Sequence, residues 1–202
     1  MYIFLDTEAT GLPKDWKAPS TALDNWPRLV QLAYLVYDTE GNKISEVDVI
    51  IKPVGFTIPG EAVLIHDIST DRALKEGKDL AKVLTLFQKA IDQADLLIAH
   101  CMNYDENVLG AEFLRCGMKD PFPAKRKFCT MQSTADFCAI PGKHGYKWPQ
   151  LSELHRKLFR TDFSRAHTAG ADTAAVAKCF WELKRLGVIK TQLPAPGTTV
   201  VK

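Results

Sequence analysis

The sequence predicts an α/β domain: a mixed five-stranded sheet with helices on both faces. Three observations carry this. The chain opens on an apolar run, Tyr2-Ile3-Phe4-Leu5, that reads as a buried strand. Residues 28–52 read as two strands joined by the turn Asp38-Thr39-Glu40-Gly41-Asn42, which makes them an antiparallel hairpin. Beyond residue 79, helical and strand patterns alternate, so the later strands are reached through helices and run parallel to the first.

The first strand ends in Asp6-Thr7-Glu8-Ala9-Thr10-Gly11. Residues two apart on a strand share a face, so Asp6 and Glu8 present two carboxylates side by side. At about 4 Å and an effective dielectric near 20, such a pair repels by roughly 4 kcal/mol. It needs a cation or a proton. Taken alone, the pair reads equally well as a solvated strand end. Residues 13–27 follow as a long loop with three prolines and with Trp16 and Trp26, which points to an ordered flap or, for one of the tryptophans, simply to packing on the core. Residues 53–79 read as a connecting region.

Asp79–Ala94 carries Leu80, Val83, Leu84, Phe87 and Ile91 at helical spacing. Leu96–Ala99 is a short buried strand. His100-Cys101-Met102-Asn103 turns into a helix over 104–116, closed by Gly117. A short strand is expected over 127–130, then a helix to about Cys138, a loop over 141–149, and a helix over 151–159. The last helix spans about 169–186. A single domain is expected over 1–190, and residues 191–202, rich in Pro, Thr and Gly, as a flexible tail.

The 202 residues are 46% hydrophobic, which suits one domain with a sizeable core. No apolar run reaches the roughly 20 residues of a membrane span. Five cysteines with no CxxC pairing suggest a reduced, cytoplasmic-type protein without a disulfide frame or zinc knuckle. A net charge of +2 argues neither for nor against nucleic acid.

Two more acids stand where this topology brings them near Asp6 and Glu8. Asp105 lies in the first turn of the helix after strand 96–99. Asp172 lies in the first turn of the last helix, with His167 just before it. Singly, each acid has an ordinary role in stabilising a helix dipole.

Together, Asp6-Thr7-Glu8, His100-Cys101-Met102-Asn103-Tyr104-Asp105, and His167 with Asp172 resemble the three motifs of the DEDD-type 3′→5′ exonucleases, in the histidine subclass. That family includes polymerase proofreading subunits, ribonuclease T and three-prime repair exonucleases. Ile65-His66-Asp67-Ile68-Ser69 resembles a family segment that usually reads Ile-His-Gly-Ile-Thr. Cys101 and Met102 stand where Asn and Val are common. The resemblance implies a ribonuclease H-like fold and release of 5′-mononucleotides from 3′ ends, with DNA favoured. It implies two divalent cations, Mg²⁺ or Mn²⁺, held by Asp6, Glu8, Asp105 and Asp172, with His167 as general base. It also implies that Ala9, Thr10, Gly11 and Leu12 line the terminal nucleotide's pocket and that Ile65 and His66 stack against or wedge the last bases. The partner is nucleic acid, with single-stranded 3′ ends preferred. A polymerase or repair partner and a homodimer are both compatible with this. An exoribonuclease of the same family is the nearest alternative. A catalytically silent nucleic-acid-binding module is the alternative from another class, and it would be expected to lack some of these ligands.

Overall fold

The computed structural model describes residues 1–163 and 168–189, together with the backbone of Thr199 and Val200. The sheet begins as an antiparallel meander of β1 (Tyr2–Ala9), β2 (Leu29–Tyr37) and β3 (Lys43–Ile50). Three helices follow: α1 (Gly60–His66), α2 (Thr70–Glu76) and α3 (Leu80–Gln93). The chain then enters β4 (Leu96–Ala99), which lies parallel to β1, and crosses through α4 (Met102–Arg115) to β5 (Lys127–Cys129), parallel to β4. The strand order is β3-β2-β1-β4-β5, and Thr199–Val200 add a two-residue parallel edge beside β5. Helices α5 (Thr130–Ser133), α6 (Ala135–Cys138), α7 (Leu151–Phe159) and α8 (Ala169–Arg185) complete the described chain. No described helix is long and apolar enough to cross a membrane.

Both faces of the sheet are covered, because β1 alternates apolar residues to either side. Ile3 and Leu5 pack with Leu84 and Phe87 of α3 and with Val108, Leu109 and Phe113 of α4. Tyr2 and Phe4 pack with Val176 and Phe180 of α8. The amphipathic stripe of α3 is therefore buried against one face, and that of α8 against the other.

Three parts of the sequence reading are corrected here. The connecting region 53–79 contains α1 and α2. Each is seven residues long, too short for a helical period to stand out, although the Ser69 hydroxyl caps α2 by accepting from the Arg72 N–H (3.1 Å). The helix expected over 130–138 is broken into α5 and α6 at Thr134. The loop 141–149 contains a two-residue hairpin, Pro141–Gly142 against Gly145–Tyr146. Most of the C-terminal stretch read as a tail lies outside the described residues.

The long loop after β1 is an ordered flap laid across α4. Its anchor is Glu112, a fully buried carboxylate. Glu112 accepts from Arg28 Nε (2.8 Å), Arg115 Nη1 (2.9 Å) and the Leu29 N–H (3.0 Å). Arg115 Nη2 in turn donates to the flap carbonyls of Leu23 (2.6 Å) and Trp26 (2.7 Å). Close approach is possible because residue 110 is glycine: a Cβ there would lie 2.5 Å from Asp120 Oδ2 and 2.9 Å from Ser20 Cβ of the flap. Removing one partner of a buried charge network leaves the others unpaired, which is costlier than never having had the pair. Glu112→Ala is therefore expected to lower the unfolding free energy by about 3 kcal/mol in urea melts. A loss below about 1 kcal/mol would mean the network behaves as a surface ion pair.

Candidate active site

Pairing of β1 with β4 covers only Tyr2 to Phe4. From Leu5 onward β1 keeps β2 on one side, while the other side opens toward the start of α4. A crevice beyond the carboxyl end of a parallel strand is where open α/β sheets bind ligands. Asp6 and Glu8 lie on the same β1 face as Tyr2 and Phe4, the face that α8 covers. Asp172 sits in the first turn of α8, and ligand oxygens of Asp6, Glu8 and Asp172 all lie within 4.8 Å of one another. Thr7 points to the opposite face, and its hydroxyl donates to Asp105 Oδ1 (2.8 Å) in the first turn of α4. Asp6, Asp105 and Asp172 line one cleft of about 490 Å³, together with Thr7, Tyr104 and Phe163. Four acids from three distant segments are thus brought to one place. His167 lies outside the described residues.

The helix that carries Asp172 is seated by polar contacts to the sheet. Ala169 N–H donates to Gln31 Oε1 (3.2 Å), and Gln31 Nε2 donates to Asp48 Oδ1 (2.6 Å). A Cβ on Gly170 would lie 2.3 Å from Asp48 Oδ2, so the helix start comes closer to β3 than any other residue would allow.

Burial is the main reason the acids resist ionisation. It raises Asp6 well above the ordinary carboxylate range, and Asp105, Asp172 and Glu8 add repulsion. Burial, then Asp172 and Asp105, push Glu8 up to about 8. Burial raises Asp105 to about 7, against the opposing hydrogen bond from Thr7. Among the described residues, Asp6, Glu8 and Asp105 form no ion pair with a basic side chain. Clustered, desolvated carboxylate oxygens suit a hard divalent cation, so the donor set fits a metal.

This has a consequence for stability. Glu8 keeps its proton up to about 8 in the folded protein, against 4.5 ordinarily. Between those values the folded state binds more protons than the unfolded one, so raising the pH destabilises the fold. In EDTA, Tm is expected to fall as pH rises from 5 to 8, and more steeply for the wild type than for Glu8→Gln. A divalent cation should restore more Tm at pH 8 than at pH 5. Equal slopes for wild type and Glu8→Gln in differential scanning fluorimetry would refute this.

The residues predicted to meet substrate surround the cleft unevenly. Ala9 is buried. Thr10 is tied to Arg28 in both directions, its N–H donating to the Arg28 carbonyl (2.9 Å) and its Oγ1 accepting from the Arg28 N–H (3.0 Å). The Gly11 carbonyl accepts from the Tyr104 hydroxyl (2.7 Å), and Leu12 is 73% exposed. Ile65 is 60% exposed on α1, so it is not a core residue. His66 is different: it is buried, its Nδ1 accepts from the Ile68 N–H (3.1 Å), and its Nε2 has no hydrogen-bond partner. In this conformation its ring offers no face to a base. Burial lowers its pKa, opposed by the nearby Ala9 carbonyl, which falls short of hydrogen-bond geometry. Asp67, which stands where the family usually has glycine, adopts a left-handed φ of 57° at the end of α1. Aspartate tolerates this conformation better than most side chains, so the turn survives the exchange.

Sequence reasoning assigned no role to Thr7 or Tyr104, although both sit inside the quoted motifs. Thr7 orients Asp105, and Tyr104 fixes the backbone after β1. The signal available was their position beside an acid. Their partners could not be read without the fold.

The exonuclease family model RNase_T matches residues 3–180. Among solved structures, the zinc-bound complex of E. coli exonuclease I with single-stranded DNA superposes with a TM-score of 0.70 at 21% identity, over 92% of this chain and 40% of that one. E. coli exonuclease I with a dT13 oligonucleotide gives 0.71 at 20% identity, over 92% and 42%. Exonuclease I from Methylocaldum szegediense gives 0.71 at 20% identity, over 91% and 40%. At these identities the likeness is one of fold, and the chain spans between 40% and 42% of the length of those three proteins. No curated protein sequence matches the chain significantly. A family match over most of the chain, a ribonuclease H-like sheet and a converged set of four acids agree: the chain belongs to the DEDD-type 3′→5′ exonuclease family.

Proposed function

We propose that this domain removes 5′-mononucleotides one at a time from the 3′ ends of single-stranded DNA, in the manner of the histidine subclass. The observation that carries this reading is the convergence of Asp6, Glu8, Asp105 and Asp172 at the open end of β1. Two divalent cations, Mg²⁺ or Mn²⁺, held by these four carboxylates would supply Lewis-acid stabilisation of the attacking and leaving oxygens. The chain's own residues do the rest. Thr7 holds Asp105 in place. His167 takes the proton from the attacking water, a task suited to an imidazole with a reference pKa near 6.5. Tyr104 pins the Gly11 carbonyl, which sets the course of the Ala9–Leu12 segment along the terminal nucleotide. Leu12 and Ile65 offer exposed apolar side chains to the terminal bases. DNA is favoured because solved structures of like fold include E. coli exonuclease I complexes with single-stranded DNA and with a dT13 oligonucleotide. Five free cysteines fit a reducing, cytoplasmic-type setting.

The test is a gel assay of end-labelled single-stranded DNA, duplex DNA, RNA and a covalently closed single-stranded circle, each with Mg²⁺, Mn²⁺ or EDTA. Stepwise loss from the 3′ end of linear DNA, silence in EDTA and an intact circle are expected. Degradation of the circle as fast as the linear strand would overturn the exonuclease reading. Faster loss of RNA would move the substrate to the exoribonuclease side. Binding without hydrolysis in any metal would leave a silent module.

A further inference from the structure

Two tryptophans from segments far apart in sequence line one cavity beside the cleft. Trp16 comes from the flap and is 46% exposed; Trp148 precedes α7 and is 56% exposed. The cavity measures about 580 Å³, and its walls include Asn103, Glu106, Met131 and Gln132. It shares Cys101, Met131 and Trp148 with the acidic cleft, so the two spaces adjoin. Tryptophan is highly buried on average, and two half-exposed ones facing one space are the unusual observation.

Both are held from behind. The Trp16 carbonyl accepts from Asn103 Nδ2 (3.1 Å), and its ring packs on Tyr104 with centroids 5.9 Å apart. Beside Trp148, the Pro149 carbonyl accepts from His100 Nε2 (2.9 Å), while His100 Nδ1 takes the Thr130 hydroxyl (2.9 Å). The tryptophans' backbones are thus fixed while their rings stay open. The lining holds no unpaired cation that would call for a phosphate: Glu106 is ion-paired with Lys127. The Gln132 carboxamide bonds to no other described residue and is free to meet a base edge.

We propose that this cavity is a nucleobase subsite, in which a base near the 3′ end of the bound strand stacks on Trp16 or Trp148 with its edge toward Gln132. The proposal rests on the exonuclease reading for the strand's course, and its test does not depend on catalysis.

The test measures equilibrium binding of a short fluorescein-labelled single-stranded oligodeoxynucleotide in EDTA by anisotropy, with a single abasic residue moved along its 3′-terminal positions. Wild-type protein is expected to lose affinity sharply at one or two adjacent positions. Trp16→Ala and Trp148→Ala are expected to raise Kd for the intact strand about tenfold, the worth of a base–aromatic stack. In at least one of them the position-specific abasic penalty should vanish, because ring and base then have nothing left to lose together. The matching Trp→Phe variant should restore both affinity and penalty, which a merely structural role would not do. The proposal is overturned if wild type shows no position-specific penalty, or if the penalty persists in both alanine variants. If the penalty behaves as expected but no strand is degraded with Mg²⁺ or Mn²⁺, the subsite stands and the exonuclease reading falls.

Discussion

Asp6→Asn is expected to abolish turnover, with kcat on a 3′-ended DNA strand lower by at least about 10²–10³-fold, the scale on which losing one electrostatic stabiliser acts. Asp6 is the hub of the acid cluster. Its oxygens lie within reach of those of Glu8 and Asp172, and it repels Asp105, Asp172 and Glu8 together. The substitution keeps the side chain's shape and removes only its charge, so the fold should survive. It should in fact be more stable without metal, since a buried carboxylate pushed far up in pKa is replaced by a neutral amide. The experiment therefore has two arms. Tm in EDTA at pH 8 should be higher for Asp6→Asn than for wild type, while Mn²⁺ affinity by calorimetry and kcat should both fall. Near-wild-type kcat would remove Asp6 from the reaction, and a lower Tm would show that the carboxylate serves the fold instead.

The acids were legible in the sequence because each sits next to a local signal. Asp6 and Glu8 end an apolar strand, and Asp105 and Asp172 occupy first turns of helices. Strand period and helix start are short-range properties, so position along the chain translates into position in the fold. What joins the site to the rest of the molecule was not legible. Arg28, Glu112 and Arg115 lie 84 and three residues apart in sequence, and only the packing of the flap on α4 brings them together. One hint was present: Glu112 interrupts the apolar run Val108-Leu109-Gly110-Ala111-Glu112-Phe113, and a charge at a core position requires a partner. Helices α1 and α2 were missed because seven residues make only two turns. His66 was read as facing substrate, with Ile65, because the segment Ile65-His66-Asp67-Ile68-Ser69 resembles one of the family's. On a helix, adjacent residues point about 100° apart, so one can be exposed and the next buried. Trp16 and Trp148 show the same limit from the other side: in sequence Trp16 reads as part of an ordered flap and Trp148 equally as a stacking platform or a packing anchor, and only the fold sets the two around one cavity.

His167→Ala is expected to lower kcat by roughly 10²–10⁴-fold, the usual worth of a general base, with KM and metal affinity close to wild type. The residue lies outside the described structure. The expectation comes from its place in the third motif and from the site that the chain on either side frames. Phe163, four residues before it, lines the acidic cleft, and Ala169, two residues after it, is tied to Gln31 at the start of the helix that carries Asp172. A base must be neutral to take a proton, so the wild-type rate should climb as pH rises through the imidazole pKa. The buried acids could counterfeit that limb, because Glu8 and Asp105 also lose protons near neutrality, at about 8 and about 7 without metal. Saturating metal separates the two. A cation holds the carboxylates ionised across the range, and the remaining acid limb belongs to the base. Measured at saturating Mg²⁺ or Mn²⁺, that limb should be present in wild type and flat in His167→Ala. If kcat stays near wild type and the limb is unchanged, His167 takes no proton in the reaction. If the limb disappears only when metal is raised, with His167 intact, the titrating groups were the acids.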